Sequence, residues 1–375
     1  MKEVASNILF CYQNGFFPQN GGVQRYCHSL GEFLEEKGFN VYYLSLKFDK
    51  DFQLLKPNNY FVLPNSEVLY HKENKFFYKS LLEKLKIHTV INNEATNNRF
   101  SFFIPSKEVE VTHIAIFHQD PVFNLNFSGE NTLFKKIIDH LRIIKRKRAL
   151  EFLLKNSDQL VVLSSKYVQK LNENLKIHSN KLVAISNFTH FQKLDIGLVQ
   201  KTDTVLYVGR LEQVKQVDLL INVWKLIEDK TVGWNLVIIG EGPQSEYLKN
   251  LASEIGVKAI KFTGKIDPTT YYKSAKIICL PSKYEGFGLV LVEAMAYGVV
   301  PIAFNNWLSL SEIITNEVDG YIVDDKNMMG LFTVIDSLIK NDNKLVEMSE
   351  KARESAKKFD IKIIGKKWMD LINKN

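Results

Sequence analysis

The chain has 375 residues, 45% hydrophobic and 24% charged, a soluble globular balance with length enough for two domains. Gly and Pro number only 19 and 9, which excludes a fibrous or low-complexity chain. Lys and Arg outnumber Asp and Glu by 49 to 42, but only seven of the basic residues are Arg, so the surplus of +7 fits anionic substrates or an anionic membrane face better than a dedicated nucleic-acid binder.

From the N-terminus, Ile8 to Tyr12 reads as a strand, too short an apolar run for a signal peptide. A Gly- and Asn-rich turn follows, Asn14 to Gly22. Val23 to Lys37 has helical spacing and Gly38 closes it; Phe39 to Leu44 is the next strand. Strand, helix, strand implies a parallel sheet. Val90-Ile91 and Ile114 to Phe117 continue it. Thr132 to Lys155 is a basic helix in which Lys135, Lys136, Arg142 and Lys145 to Arg148 alternate with aliphatic residues. Polar residues gather from Ser186 to Asp203, and the domain boundary falls there. A second series of strands and helices runs from Thr204 to Phe304. Ile361, Ile364, Trp368 and Leu371 mark a tail helix that needs a partner surface.

Cys11, Cys27 and Cys279 form no CxxC, so neither a disulfide framework nor a cysteine zinc site is expected. The stretch Gly286 to Leu310 carries one charge, Glu293. Pro301, Gly298 and its polar residues make it a buried helix followed by a buried strand rather than a membrane span. The expectation is a cytoplasmic protein, at most peripheral on the cytoplasmic face of a membrane.

Four constellations carry chemistry. In Ser282 to Gly298 a strand ends, a loop holds Glu285, and a helix begins near Gly288. The carboxyl end of a parallel strand is where ligands bind in open α/β sheets. The helix start suits a phosphate, and Glu285 and Glu293 suit sugar hydroxyls. An ordinary glycine turn is the competing account. Arg210 and Lys215, in Tyr207 to Lys215, would clamp a diphosphate, unless they are simply solvated. Gly21-Gly22 opens the first strand-to-helix turn without matching GxGxxG or GxxxxGK[ST]. His118 stands at the end of Ile114 to Phe117, either a site group or a satisfied structural histidine.

Taken together these segments resemble the retaining glycosyltransferases of family 4, the group 1 glycosyltransferases. Glu285 and Glu293 stand as in the E-x7-E signature, supported by Val208-Gly209-Arg210 with Lys215, Ile239 to Pro243 and Asp319 to Val323. The resemblance implies an α/β fold of the GT-B type, two Rossmann-like domains facing across a deep cleft. It implies an acceptor-side domain at 1–190, a nucleotide-sugar domain at 191–356, and a C-terminal helix at 357–375 crossing back to the first. Arg210 and Lys215 would hold the donor diphosphate, Glu293 the ribose, and Glu285 the donor sugar. Gly288 and Leu289 would offer backbone groups, Gly22 would line the donor phosphate, and His118 would sit near the reacting centre.

Departures from the pattern are Gln216 after Lys215, Phe188 after Asn187, and Asn305 to Leu310 before Glu312, where the family has glycines. They leave the sugar pocket unread. The implied reaction moves a sugar from a nucleotide diphosphate, UDP-hexose or UDP-N-acetylhexosamine first, to a hydroxyl of a glycan or lipid-linked glycan. That would serve bacterial surface polysaccharide or glycolipid assembly. Arg210, Lys215 and the helix start would meet the diphosphate charge without a metal, and no further cofactor is implied. A two-domain nucleotide-sugar epimerase and a non-catalytic sugar-nucleotide binding protein are the alternatives. The basic helix at 133–150 would reach an anionic membrane or merely pack on its own domain. No nucleic-acid partner is expected, and the oligomeric state is open.

Overall fold

Apolar strands between amphipathic helices leave the backbone one economical arrangement, a parallel sheet covered on both faces. The computed structural model describes residues 6–95, 98–106, 109–121, 133–190 and 200–374, and for 133–140 the backbone alone. It divides into two units, 1–187 with 361–375, and 188–360.

The first unit has strands β1 (Asn7–Cys11), β2 (Asn40–Ser45), β3 (Tyr60–Val62), β4 (Thr89–Asn92), β5 (Thr112–Phe117), β6 (Gln159–Val162) and β7 (Leu182–Ala184). They form one parallel sheet in the order β3-β2-β1-β4-β5-β6-β7. Its helices before the boundary are α1 (Gly22–Glu36), α2 (Lys50–Leu55), α3 (Lys72–Lys84), α4 (Leu133–Lys155) and α5 (Ser165–Leu175). The core strands read as unbroken apolar runs, and Ile8, Leu9, Phe10, Val90, Ile91 and Ile114 to Ile116 are fully buried. α1 stops because Gly38 takes a left-handed turn at φ 91°, with the Phe39 N–H returning to the Leu34 carbonyl.

The second unit has β8 (Thr202–Val208), β9 (Asn235–Ile239), β10 (Ile260–Gly264), β11 (Ala275–Leu280), β12 (Val300–Phe304) and β13 (Tyr321–Val323). The order is β10-β9-β8-β11-β12-β13, all parallel. With strands renumbered from β8 this is 3-2-1-4-5-6, the doubly wound dinucleotide-fold order. The helices are α6 (Val217–Glu228), α7 (Ser245–Glu254), α8 (Thr269–Ser274), α9 (Leu289–Ala296), α10 (Leu310–Ile313), α11 (Met328–Ile339) and α12 (Asp342–Ala356). Gly286 to Leu310 holds α9 and β12, whose residues are largely buried. Among the described residues no helix is long and apolar enough to cross a membrane.

The tail helix α13 (Ile361–Asn373) packs within the first unit. Gly365 lets it lie against α1, since a Cβ there would stand 2.3 Å from the Phe33 ring. The Trp368 ring lies 6.4 Å from that of Tyr26. Periodicity alone does not pick out β3, α2, α3, α5, α11 and α12. β3 has three residues, and α12 buries only Leu345, Met348, Ala352 and Ala356, half of them alanines.

Candidate functional site

In the second unit the carboxyl ends of β8, β11 and β12 each carry a loop, and the three loops are tied together. Val208 ends β8, and Gly209 to Leu211 is braced from β9. A Cβ on Gly240 would fall on the Gly209 carbonyl oxygen and one on Gly242 on that of Leu211. The glycines of Gly240-Glu241-Gly242 therefore serve packing: Leu211 N–H donates to the Glu241 carbonyl at 2.9 Å, and Gln244 N–H to that of Leu211 at 2.9 Å. Tyr207 Oη donates to the Arg210 carbonyl at 3.1 Å, which pins the same loop from below.

Lys215 ends a short 3-10 turn, Gln213–Lys215. Its Nζ meets Glu285 Oε1 at 2.7 Å, and Ser282 Oγ donates to the same oxygen at 2.8 Å. The backbones are joined as well, Lys283 N–H to the Val214 carbonyl at 2.8 Å. The Lys215 and Glu285 side chains are 19% and 15% exposed, so this is a half-sheltered pair of opposite charges. Arg210 is placed differently. Its guanidinium is 72% exposed and pairs with Glu212 at 3.0 Å. The structure thus brings Lys215 and Glu285 together and leaves Arg210 at the rim.

α9 begins at Leu289 after Gly288, whose φ of 91° suits glycine. Glu293 lies one turn in, and its Oε2 accepts from Tyr272 Oη of α8 at 3.1 Å. The Tyr272 ring stacks on Tyr297 at 6.1 Å between centroids. Lys201 Nζ ties the ends of both helices, donating to the carbonyls of Tyr272, Ala275 and Tyr297 at 3.4, 3.0 and 2.9 Å. Burial, with the Arg353 charge adding to it, lowers the Lys201 pKa to about 8. The loop after β12 joins through Asn306 Nδ2, which donates to the Ser282 carbonyl at 3.1 Å and Asp325 Oδ1 at 2.9 Å. Ser309 Oγ donates to the Phe287 carbonyl at 3.2 Å. Glu312 sits in the first turn of α10, half-buried.

In the first unit the carboxyl ends of β1, β4 and β5 hold a different set. Asn92 ends β4, and Asn93 and Glu94 follow, all buried. Glu94 Oε1 accepts from the Gln13 N–H at 2.8 Å. His118 follows β5, partly exposed, with Nε2 2.8 Å from Asn93 Oδ1 and its ring 5.3 Å from that of Tyr26, edge-on. Desolvation lowers the His118 pKa to about 3, so the ring is neutral at neutral pH. Gly22 is the first residue of α1, and a Cβ there would meet nothing within 4 Å. Packing does not ask for glycine at this position, which leaves a helix start bare to an approaching group.

Sequence reasoning missed Tyr272, Ser282 and Asn93. Ser282 stood inside a segment already singled out; Tyr272 and Asn93 are fixed by tertiary packing across 21 and 25 residues of sequence. Among the described residues no cluster of three or more His, Cys, Asp or Glu side chains is arranged to hold a metal ion.

Two family models cover most of the chain. "Glycosyltransferase Family 4" matches residues 20–193 and "Glycosyl transferases group 1" matches 189–355. An uncharacterized glycosyltransferase of Haemophilus influenzae is 26% identical over 370 residues, 96% of this chain and 99% of that one. An α-1,4-N-acetyl-D-galactosaminyltransferase of Campylobacter jejuni, named for an undecaprenol-diphosphate-linked glycan, is 25% identical over 82% of this chain and 81% of its own. Among solved structures, HepE of Anabaena in complex with UDP and glucose superposes with a TM-score of 0.75, at 15% identity, over 99% of this chain and 100% of that one. With two sheets of doubly wound order, and loops at their carboxyl ends bearing the E-x7-E pair, the chain is a glycosyltransferase of the GT-B fold related to family 4.

Proposed function

We propose that the enzyme transfers a hexose or N-acetylhexosamine from a UDP-sugar to an acceptor hydroxyl with retention of the α configuration. The observation that carries this reading is the set of tied loops in the second unit. Lys215, Glu285 and Ser282 form one hydrogen-bonded group, and Glu293 is held by Tyr272 one turn into α9. Lys215 and the backbone N–H groups at Gly288 and Leu289 take the diphosphate, with Arg210 swinging in from the rim. Glu293 accepts from ribose hydroxyls, and Glu285, once Lys215 turns to phosphate, accepts from the donor sugar. The relatives' names support UDP as the carrier and a lipid-linked glycan as the acceptor class.

Glu285 and Glu293 are engaged by Lys215 and Tyr272 respectively, which does not describe a nucleophile and an acid working as a hydrolase pair. Attack from the face the leaving group departs, through an oxocarbenium-like centre, asks less of the side chains. The departing phosphate takes the acceptor proton, and Lys215 stabilises the charge that develops on it. His118 and Gly22 belong to the acceptor-side unit on this reading. A panel of UDP-sugars with lipid-linked and soluble acceptors, read by product anomer, tests it. Net transfer with an α product is expected, and free epimerised sugar without an acceptor would replace transfer by epimerisation.

A surface role is proposed for α4. Its described half, from Leu141, buries Leu150 and Leu153 while Leu141 and Phe152 stay exposed among basic residues. Arg146 lies 5.9 Å from the Phe117 ring centroid, and Lys147 is 3.9 Å from Glu151, so part of the charge is turned to the unit itself. Lys135 and Lys136 have side chains outside the described residues. Attachment to an anionic bilayer predicts binding to anionic over neutral vesicles that falls with salt. Indifference to anionic vesicles at low salt would return α4 to packing alone.

A further inference from the structure

We infer that Asn93 is a positioning residue: its side chain holds His118 as the Nε2–H tautomer, so that Nδ1 faces substrate as a hydrogen-bond acceptor for a hydroxyl. The inference rests on the reading of His118 as a group of the transfer site and adds which atom of the ring works and what sets it.

The amide of Asn93 has one orientation available. Its Nδ2 donates to the Cys11 and Ile91 carbonyls, both at 3.3 Å, and its own backbone N–H donates to the Cys11 carbonyl at 3.0 Å. With Nδ2 spent on two carbonyls, the atom turned to His118 is Oδ1, which only accepts. The 2.8 Å contact to Nε2 therefore needs a proton on Nε2. A neutral imidazole carries one ring proton, so Nδ1 keeps its lone pair. Among the described residues no hydrogen bond reaches Nδ1, and His118 as a residue is partly exposed. The Tyr26 ring, edge-on to the imidazole, limits its rotation.

His113, five residues earlier, shows the opposite outcome under the same logic. Its Nδ1–H donates to the Asn156 carbonyl at 2.7 Å, and its Nε2 accepts from Asn92 Nδ2 at 3.2 Å. Both nitrogens are spent inside the protein, so His113 is structural. Neighbouring asparagines at the end of one strand thus choose opposite tautomers for two histidines, and only His118 is left with an atom to offer.

The test is the ring nitrogen spectrum of the full chain labelled with 15N-histidine, His118 being assigned by comparison with His118→Ala. The expected wild-type pattern is a pyridine-type Nδ1 and a pyrrole-type Nε2. Asn93→Ala should mix the tautomers and lower turnover of the active UDP-sugar by about tenfold, while calorimetric affinity for UDP alone moves by less than about twofold. A wild-type ring protonated on Nδ1, an even mixture, or an unchanged single tautomer in Asn93→Ala overturns the proposal. If the tautomer is as expected but His118→Ala turns over normally, the substrate-facing role falls, and the spectrum shows that the failure lies there and not in the Asn93 bond. The wild-type spectrum decides the matter even where Asn93→Ala fails to fold.

Discussion

The two sheets share a strand order and differ in what their carboxyl ends hold. In the first unit the groups are uncharged or sealed: Asn92, Asn93, neutral His113 and His118, and Glu94 buried under the Gln13 amide. In the second they are acidic and basic side chains: Lys215 paired with Glu285 of another loop, Arg210 with Glu212 of its own, and Glu293 on α9 under the Tyr272 hydroxyl of α8. One scaffold therefore offers a neutral hydrogen-bonding edge and a charged one. The charged edge suits a nucleoside diphosphate, whose binding is dominated by charge. The neutral edge suits sugar hydroxyls, which ask for acceptors and donors of fixed direction without a counter-charge.

The largest effect that would break this contrast comes from Lys215. Lys215→Ala should cost about 2–4 kcal/mol in kcat/KM for the donor, because it removes a half-sheltered charge that the proposed reading sets against the leaving phosphate, and it takes from Glu285 its paired cation. Arg210→Ala should cost less, since the guanidinium lies in solvent and its pair with Glu212 adds little to folding. Steady-state kinetics at subsaturating donor separates the two. If Arg210→Ala matches Lys215→Ala, the rim residue contributes as much to the diphosphate as the sheltered one, and shelter does not rank the two.

Acid should act on the first unit through its histidines. Burial lowers the His113 pKa to about 4, against 6.5 in an unfolded chain. The unfolded state then binds the proton more tightly. The stabilisation from a neutral His113 is fully present above about pH 6.5 and is lost as pH falls toward 4, up to about 3 kcal/mol in all. Denaturant titrations at pH 7 and 4.5 on wild type and His113→Gln should show a steeper acid loss in wild type. Equal slopes would mean that His113 is not the neutral, sealed group the bonds to Asn156 and Asn92 describe.

Much of the fold was legible because parallel strands announce themselves as apolar runs between helical patterns. The strand at Thr204 to Val208, which in the structure begins two residues earlier at Thr202, and the helix and strand within Gly286 to Leu310 could be read from residue order alone. Lys215, Glu285 and Glu293 could be singled out for a related reason, each lying in a short segment of local spacing, whereas the contact of Lys215 with Glu285 spans 70 residues. What could not be read were partners brought from another strand or helix. Nothing near Asn93 indicates that it meets His118, and Tyr272 reads as one more aromatic in a short helical turn. The segment Ile239 to Pro243 supports the family resemblance, and close packing of Gly240 and Gly242 under Gly209 and Leu211 gives those glycines a structural reason of their own.

Tyr272 sharpens the contrast on a smaller scale. Its hydroxyl donates to a carboxylate, and a hydrogen bond to a charged group contributes about 1.5–3 kcal/mol. Tyr272→Phe keeps the stack on Tyr297 and removes only that donor. The expected result is a rise of about tenfold in donor KM with kcat nearly unchanged, and a weakened preference for UDP over 2′-deoxy-UDP. A fall in kcat at constant KM would place Glu293 at the reacting centre instead of at the ribose.

The smallest expected effect concerns a place where this chain departs from glycine. Gln216, next to Lys215, has φ 50° and ψ 40° and starts α6, a left-handed conformation that costs a side-chain-bearing residue roughly 1–2 kcal/mol. Its Oε1 is sealed from solvent and has no hydrogen-bond partner among the described residues. Gln216→Gly would remove both penalties and add the backbone entropy of a glycine, roughly 0.5–1 kcal/mol against it. The balance predicts a more stable protein by about 0.5–1 kcal/mol, read as a higher urea midpoint with the slope unchanged. Since Gln216 shapes the turn that presents Lys215, donor kinetics should be measured on the same sample. Stability gained with KM unchanged makes the residue a strain tolerated on the charged edge. Stability gained with KM raised makes that strain part of how Lys215 is aimed, a device with no counterpart at Asn93, where the neutral edge is held by hydrogen bonds alone.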